Sequence, residues 1–389
     1  RYHPQIVLKS LFYEAALRLL GGSGFLAFIT PVTWLTIPSA KSLRRFVLEG
    51  YALFEICWMS EQAFESASVN TVISIIGKTV PSTTRVKIFN LLTEFPTHPA
   101  IRRECPQKQF VNAGHYISIF SYSEENSILE KIGRVSRPLG ESARPCSGYN
   151  PYEVGAGKAP GGGPHTEKTV RDKPYHSTIK RGNHWKPEII GRDLRRYYVR
   201  VSGDRWVKYG PWLAAPRDPE NFKGTRILVQ EITGGKEMRL VAAYCEDELY
   251  HSRDVIPIKL EKSNPNPFYL LAVVNSRLLS WYHQKLNPKA QKGLFPKVLV
   301  SDLKNLPIFP AGEDQQHPIA KLAREVVDAK RQDPNADTKP LEREIDRRVY
   351  ALYDLTLDEI RIVEESAFDT PHRSQRRPKA RRSTSGSCR

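Results

Sequence analysis

The sequence predicts an α/β fold in successive parts: the second half of a doubly wound sheet, then a mixed α+β region, then C-terminal helices. Three observations carry this. In "LLGGSGFLAFITP" (19–31) a helix end, a glycine stop and a continuous apolar run follow one another directly. From about residue 134 the chain becomes dense in Gly, Pro and Arg, with short strand-like pieces between. Over 315–366 apolar residues recur at the three-to-four spacing of amphipathic helices.

Residues 5–20 place Val7/Leu8, Leu11/Phe12, Ala15/Ala16 and Leu19/Leu20 on one helical stripe, and Gly21-Gly22 end it. "FLAFIT" (25–30) has the pattern of a buried parallel strand. Residues 38–49 read as a helix with Leu43, Phe46 and Val47 inward, and "LFEICWM" (53–59) and "NTVISIIGK" (70–78) as strands. A complete doubly wound sheet needs about three more strands and a glycine-rich first turn, and neither is present. Strands are expected at 196–201, 226–232 and 240–245, and "PFYLLAVVNSRLLSWYHQKL" (267–286) reads as one helix. "TLDE" (356–359) is a capping box opening the last helix. The divisions are 1–90, the sheet; 91–133, a connector; 134–312, the mixed region; 313–368, helices; and 369–389, a basic tail too poor in apolar residues to fold.

Composition narrows the function. With 40% hydrophobic residues the 389-residue chain can bury real cores, and no apolar run reaches membrane-spanning length. Five scattered cysteines without C-x-x-C spacing argue against a zinc site and suit a reducing cytoplasm; no metal is expected. The net charge of +17 is concentrated: Arg134–Arg239 holds 21 Lys/Arg against 11 Asp/Glu, and Asp369–Arg389 holds seven basic residues and one acid. Aromatics interleave with this charge, the footprint of a polyanionic partner and most simply of nucleic acid.

The order of these features resembles a known family, the adenine-specific (N6) DNA methyltransferases whose catalytic motif is N-P-P-Y. The likeness is to the long enzymes of restriction-modification and phage-defence systems. "LFYEAALRLLGGSGFLAFITPVTWL" (11–35) is similar to their segment following the catalytic motif, and "LRRFVLEG" (43–50) and "FESASVNTVISIIGK" (64–78) to the next two blocks. "NPYEVGAGKAPG" (150–161), "IIGRDLRRYYV" (189–199), "FKGTRILVQEIT" (222–233), "FYLLAVVNSRLLSWYH" (268–283) and "VSDLKNLPIFP" (300–310) resemble their target-recognition domain. "LEREIDRRVYALYDLTLDEIRIVEE" (341–365) resembles their C-terminal helical signature. Each motif is loose; the preserved order over about 1–366 carries the resemblance.

The resemblance implies the C-terminal half of a Rossmann-like class I methyltransferase sheet, with the front half missing from this sequence. It implies S-adenosylmethionine as the cofactor of the full-length enzyme and double-stranded DNA as partner. The glycine-bearing cofactor turn and the N-P-P-Y motif are both absent here, so the chain is expected to be inactive alone. A separate or missing N-terminal methyltransferase or nuclease part would complete it. Phe64 lines the flipped-base pocket by this resemblance; a core role is an equal alternative.

Two decoys fail on chemistry. "NPYE" (150–153) lacks one proline of the motif, follows no buried strand, and reads as a turn. "GAGKAPGGG" (155–163) lacks P-loop spacing, and Pro160 and Pro164 forbid the helix that must follow. It reads as a loop whose Lys158 can approach phosphate. The sharper candidates for DNA contact are Lys180 and Arg181, then Arg192, Arg195, Arg196 and Tyr197 in "GRDLRRYY", then Arg205 and Lys208, and finally Lys289, Gln291 and Lys292 after the long helix. Arginine pairs bidentately with guanine or with phosphate, whereas half of the neighbouring aromatics are as readily core. Two other readings stand beside a methyltransferase fragment. One is a non-catalytic specificity subunit working with a separate methyltransferase chain, or an inactive remnant; the other is an RNA-binding protein.

Overall fold

The computed structural model describes residues 8–36, 38–59, 71–78, 84–91, 101–111, 115–117, 119, 123–232, 240–260, 265–286 and 297–366.

The first part is a five-stranded sheet with helices packed on it. Its elements are α1 (Leu8–Leu19), β1 (Phe25–Pro31), α2 (Lys41–Gly50), β2 (Ala52–Met59), β3 (Thr71–Gly77), β4 (Arg85–Leu91) and β5 (Ile101–Pro106). The strand order is β1-β3-β2-β4-β5, with β2–β4 parallel and the other three pairings antiparallel. Tyr13 and Leu17 of α1 are fully buried, and the Tyr13 hydroxyl hydrogen-bonds Thr30 Oγ1 (3.1 Å) and Ser74 Oγ (3.4 Å). In α2, Leu43 and Val47 turn inward as predicted, whereas Phe46 is half-buried and Leu48 is buried beside them. Buried Gln107 ties this layer to the chain after β5. It accepts from Leu53 N (2.7 Å) and donates to the carbonyls of Leu48 and Tyr51. The sheet thus takes its last strand from the segment read as a connector.

"FLAFIT" departs from the expected buried parallel strand. β3 slots between β1 and β2 and runs antiparallel to both, from Phe25↔Gly77 to Pro31↔Thr71 on one side and from Ala52↔Gly77 to Met59↔Thr71 on the other. Among the described residues β1 therefore has a partner on one side alone. Leu26 is buried, but Phe25 and Ile29 are 65% and 45% exposed.

The second part begins with α3 (Ser123–Val135), β6 (Arg137–Pro138), β7 (Ala143–Pro145), α4 (Glu167–Asp172), β8 (His176–Ser177), β9 (Trp185–Ile189) and β10 (Trp206–Lys208). It continues with β11 (Arg226–Gln230), β12 (Ala242–Cys245), β13 (Tyr250–His251) and β14 (Val255–Leu260). Two four-stranded sheets form, β13-β9-β10-β8 and β12-β11-β14-β7. Next come α5 (Pro267–Asn275), α6 (Arg277–Leu286), α7 (Val300–Lys304) and β15 (Pro307–Ile308), then the helices α8 (Glu313–Gln332), α9 (Lys339–Leu352) and α10 (Leu357–Ser366).

The run 267–286 is two helices rather than one. Ser276 is extended (φ −63, ψ 154), and its hydroxyl accepts from Leu279 N at 3.2 Å, capping α6. Apolar periodicity does not register such a break. From Phe268 to Asn275 every residue of α5 is buried, as expected of a helix apolar on all sides. It packs against β12 and α8 in one core that also holds Tyr197, Trp281 and Tyr353. The capping box at Thr356 and Glu359 forms as the sequence predicts. Residues 196–201 form part of a tight hairpin instead of a strand.

Candidate nucleic-acid interface

The sheet β13-β9-β10-β8 has a buried and an outward side. Val207 is fully buried and packs with Tyr149, Tyr175, Leu213, Phe222 and Tyr250. Strand alternation sends its neighbours Trp206 and Lys208 to the other side, where Trp206 lies opposite Ser177 and Pro187, and Lys208 opposite Trp185. Three cations lie over indole rings in this region. Lys180 Nζ is 5.7 Å from the Trp206 ring centre, Arg181 Cζ 5.8 Å from Trp185, and Lys208 Nζ 4.8 Å from Trp212. Each such contact contributes roughly 0.5–1 kcal/mol at an exposed site, enough to bias where a long side chain rests.

The glycine loop adjoins this surface. Lys158 donates its backbone N–H to Trp212 O (2.9 Å), and its carbonyl accepts from the Tyr175 hydroxyl (2.5 Å), while its side chain is exposed. Gly157 has φ +67, and a Cβ there would lie 2.7 Å from Trp212 O and 2.8 Å from His165 Cε1, so glycine is required. The loop leads into α4, six residues capped by Thr166, not into a phosphate-binding helix. Asn150 of "NPYE" turns its amide to Glu153 (2.7 Å), and the Tyr152 hydroxyl contacts His176 Nδ1 and accepts from Tyr175 N. The stretch is not itself the expected turn: Asn150 bridges Ala215, residues 151–153 are irregular, and the turn follows at 154–155.

"GRDLRRYYVR" folds as a hairpin over 193–200. Arg195 and Tyr198 exchange backbone hydrogen bonds (3.0 and 3.2 Å), and Arg200 N donates to Asp193 O (2.8 Å). Arg196 and Tyr197 form its tip. Tyr197 has φ +75, a value normally left to glycine, which costs a bulky residue about 1–2 kcal/mol. The surroundings hold it there: Tyr197 N donates to Ala242 O, its carbonyl accepts from Tyr244 N, and its ring is 1% exposed. Arg196 donates Nε and Nη2 to Glu342 Oε2 (3.1 and 2.6 Å) and Nη1 to Asn275 O (2.8 Å). Nearby, Asp346 accepts from Arg277 N (2.9 Å); burial pushes its carboxyl up to about 6 against the pull of that N–H and of the Arg196 and Arg277 guanidiniums. Arg192, Arg195 and Arg200, on the hairpin's approach and legs, are exposed.

The predicted contacts therefore divide. Lys158, Lys180, Arg181, Arg192 and Arg195 are exposed, and Lys208 is half-buried over Trp212. Tyr197 is a correction, since its buried ring cannot stack on DNA. Arg196 is another, since its guanidinium is committed to α9 and to the Asn275 carbonyl. Arg205 is bound to Asp193 (2.5 Å), whose carboxylate also accepts from Ile190 N, so it braces the base of the hairpin. Phe64, Lys289, Gln291, Lys292 and the basic tail lie outside the described residues. Sequence reasoning passed over Arg200 and the partners Glu342 and Asp346, which lie some 146 residues beyond Arg196 and leave no local signal. Among the described residues no His/Cys/Asp/Glu group could hold a metal ion, and no helix is long and apolar enough to cross a membrane.

Comparison with known proteins matches two segments of this architecture. Residues 2–64 match the family model of the Eco57I restriction-modification methylase, and 186–308 that of the TaqI-like C-terminal specificity domain. A Methanocaldococcus jannaschii protein named as a type II restriction enzyme and methyltransferase is 22% identical over 359 residues, which is 90% of this chain and 29% of that protein. Among solved structures, the type IIL restriction-modification enzyme MmeI in complex with DNA is similar with a TM-score of 0.57 and 11% identity, covering 93% of this chain and 52% of that one. The chain thus spans under a third of the curated relative and about half of MmeI. At this identity the likeness to MmeI is one of fold.

Proposed function

We propose that this chain supplies DNA target recognition, together with part of the methyltransferase fold, to a restriction-modification methyltransferase that modifies adenine at N6. The observation that carries this reading is a coincidence in position. The segment matching a specificity domain, 186–308, contains exposed Arg192 and Arg195 and the Lys208–Trp212 contact, and begins just after Lys180 and Arg181. The match of 2–64 to a methylase, a range that takes in α1, β1, α2 and β2 of the first sheet, supports the second half of the statement.

The described residues assemble no cradle for S-adenosylmethionine. The glycine loop follows no strand end, packs on Trp212 and His165, and leads into a six-residue helix. Methyl transfer belongs to a polypeptide that carries the cofactor turn and N-P-P-Y. The open side of β1 fits such a neighbour. Phe12, Ala27, Phe28, Ile29 and Thr30 line an open groove of about 350 Å³ beside it. Backbone groups on an unpaired apolar edge call for cover by another strand. That strand belongs to the methyltransferase part, on the same polypeptide in the first reading and on a separate chain in the specificity-subunit reading.

The chain's task here is binding and orientation. Exposed lysines and arginines draw the duplex in through its phosphates, and the arginine hairpin reaches base edges. The test is selection from a randomised duplex library at about 50 and 200 mM salt, with single-stranded RNA as competitor. Recovery of one adenine-containing site that survives the higher salt and the RNA supports the reading. Binding without site preference that disappears with salt, or that RNA abolishes, overturns it.

A further inference from the structure

The arginine hairpin carries exposed Arg192, Arg195 and Arg200, yet its tip points the other way, into the protein. There Arg196 meets α9. Glu342 accepts both Nε and Nη2 of Arg196 on one oxygen, and its other oxygen accepts from Thr338 Oγ1 at 2.8 Å. One turn on, Asp346 holds the start of α6 through Arg277 N, just after Asn275, whose carbonyl takes the remaining Arg196 contact. Asn275 in turn binds the backbone of Ala242 through both its amide groups (2.9 Å each), on the same strand that receives Tyr197. The hairpin tip is thus fastened at three points: Tyr197 to β12, Arg196 to α9, and Arg196 to the Asn275 carbonyl at the end of α5.

We propose that Glu342 is a positioning residue for DNA reading. By holding Arg196 it fixes the pitch of the hairpin, and with it the presentation of Arg192 and Arg195 to the bases. This rests on the DNA-reading function proposed above. The physical reason lies in the two kinds of contact. Bidentate pairing of a guanidinium with a base edge demands a defined approach, whereas attraction to phosphate tolerates displacement. A hairpin that loses its tie to α9 keeps Tyr197 on β12 and the Arg196–Asn275 contact, so it stays in place but with a looser pitch, and loses discrimination before it loses affinity.

The test uses the full chain with Glu342→Gln and, as a milder change, Thr338→Val. Binding is measured to the duplex recovered by the wild type and to a scrambled duplex, at two salt concentrations, beside the thermal midpoint. Glu342→Gln should lower the specific-to-scrambled ratio about tenfold. Scrambled binding and its salt slope should stay at the wild-type level. Thr338→Val should move the ratio the same way by less, and Glu342→Gln should add little on top of Arg195→Ala, since both act through one hairpin. An unchanged ratio in a folded Glu342→Gln overturns the proposal. So does a parallel loss of both affinities with a lowered midpoint, joined to an unchanged ratio in Thr338→Val. A wild type that recovers no sequence at all overturns the DNA-reading function, and this inference with it, before any variant is examined.

Discussion

Arg196 and Tyr197 show what a single residue's sequence context hides. Both stand in "GRDLRRYY", beside arginines that are exposed, and nothing local separates an outward Arg195 from an inward Arg196. The separation comes from a tight turn that places Tyr197 at φ +75 and from Glu342, far along the chain. The exposed Lys180 and Arg181 were legible because a basic pair among glycine and polar residues has nowhere to bury its charge. His251 makes a different residue-scale point. It is fully buried, and burial, joined by the neighbouring Arg226 guanidinium, lowers its ring from 6.5 to about 3. The unfolded chain binds a proton below about 6.5 that the folded chain refuses until about 3, so stability from this group is present above that window and is lost as pH falls through it. Urea unfolding of the wild type should therefore show a steeper acid limb than His251→Asn, by up to about 1.4 kcal/mol per pH unit. Parallel limbs would remove His251 from the account.

At the scale of elements, periodicity foretold most of what forms. The helices α1, α2, α8, α9 and α10 and the strands β2, β3, β11 and β12 lie close to where their apolar spacing puts them, although α1 buries Tyr13 and Leu17 and leaves Leu11, Phe12 and Leu19 of the predicted stripe exposed. What it could not foretell is pairing. "FLAFIT" reads as buried because both its sides are apolar, but the insertion of β3 between β1 and β2 leaves it at an edge. Nor could it reveal the break at Ser276, where the register of apolar residues carries on while the backbone turns. The exposed edge has a measurable consequence. Ile29 is 45% exposed, on a strand that among the described residues has one side unpaired, which favours edge-to-edge association of the isolated chain. Ile29→Lys should shift sedimentation towards monomer without changing the thermal midpoint by more than a degree or two. Association that persists unchanged in this variant would place the contact elsewhere.

At the scale of the whole molecule, two large cores, two smaller apolar clusters and one charged surface divide the work. The first core holds the sheet and its helices, and the second joins the mixed region to the C-terminal helices. A buried ion pair, Lys285 with Glu125 at 2.6 Å, links α6 to α3 within the second part. The basic surface lies on the mixed region, and under the proposed function its charge acts through phosphates. The double change Lys180→Ala with Arg181→Ala should weaken binding to all duplexes alike and reduce the salt slope by about one to two counterions. A loss confined to one sequence would instead give these two residues a base-reading role. The central claim is that DNA lies on this surface, and site-specific photo-crosslinking to a bound duplex tests it most directly. With the crosslinker at position 180, 192 or, as a control on the last helix, 358, adducts should form at 180 and 192 and be absent at 358. Adducts at 358 with none at 180 or 192 would contradict it and place the DNA elsewhere on the molecule.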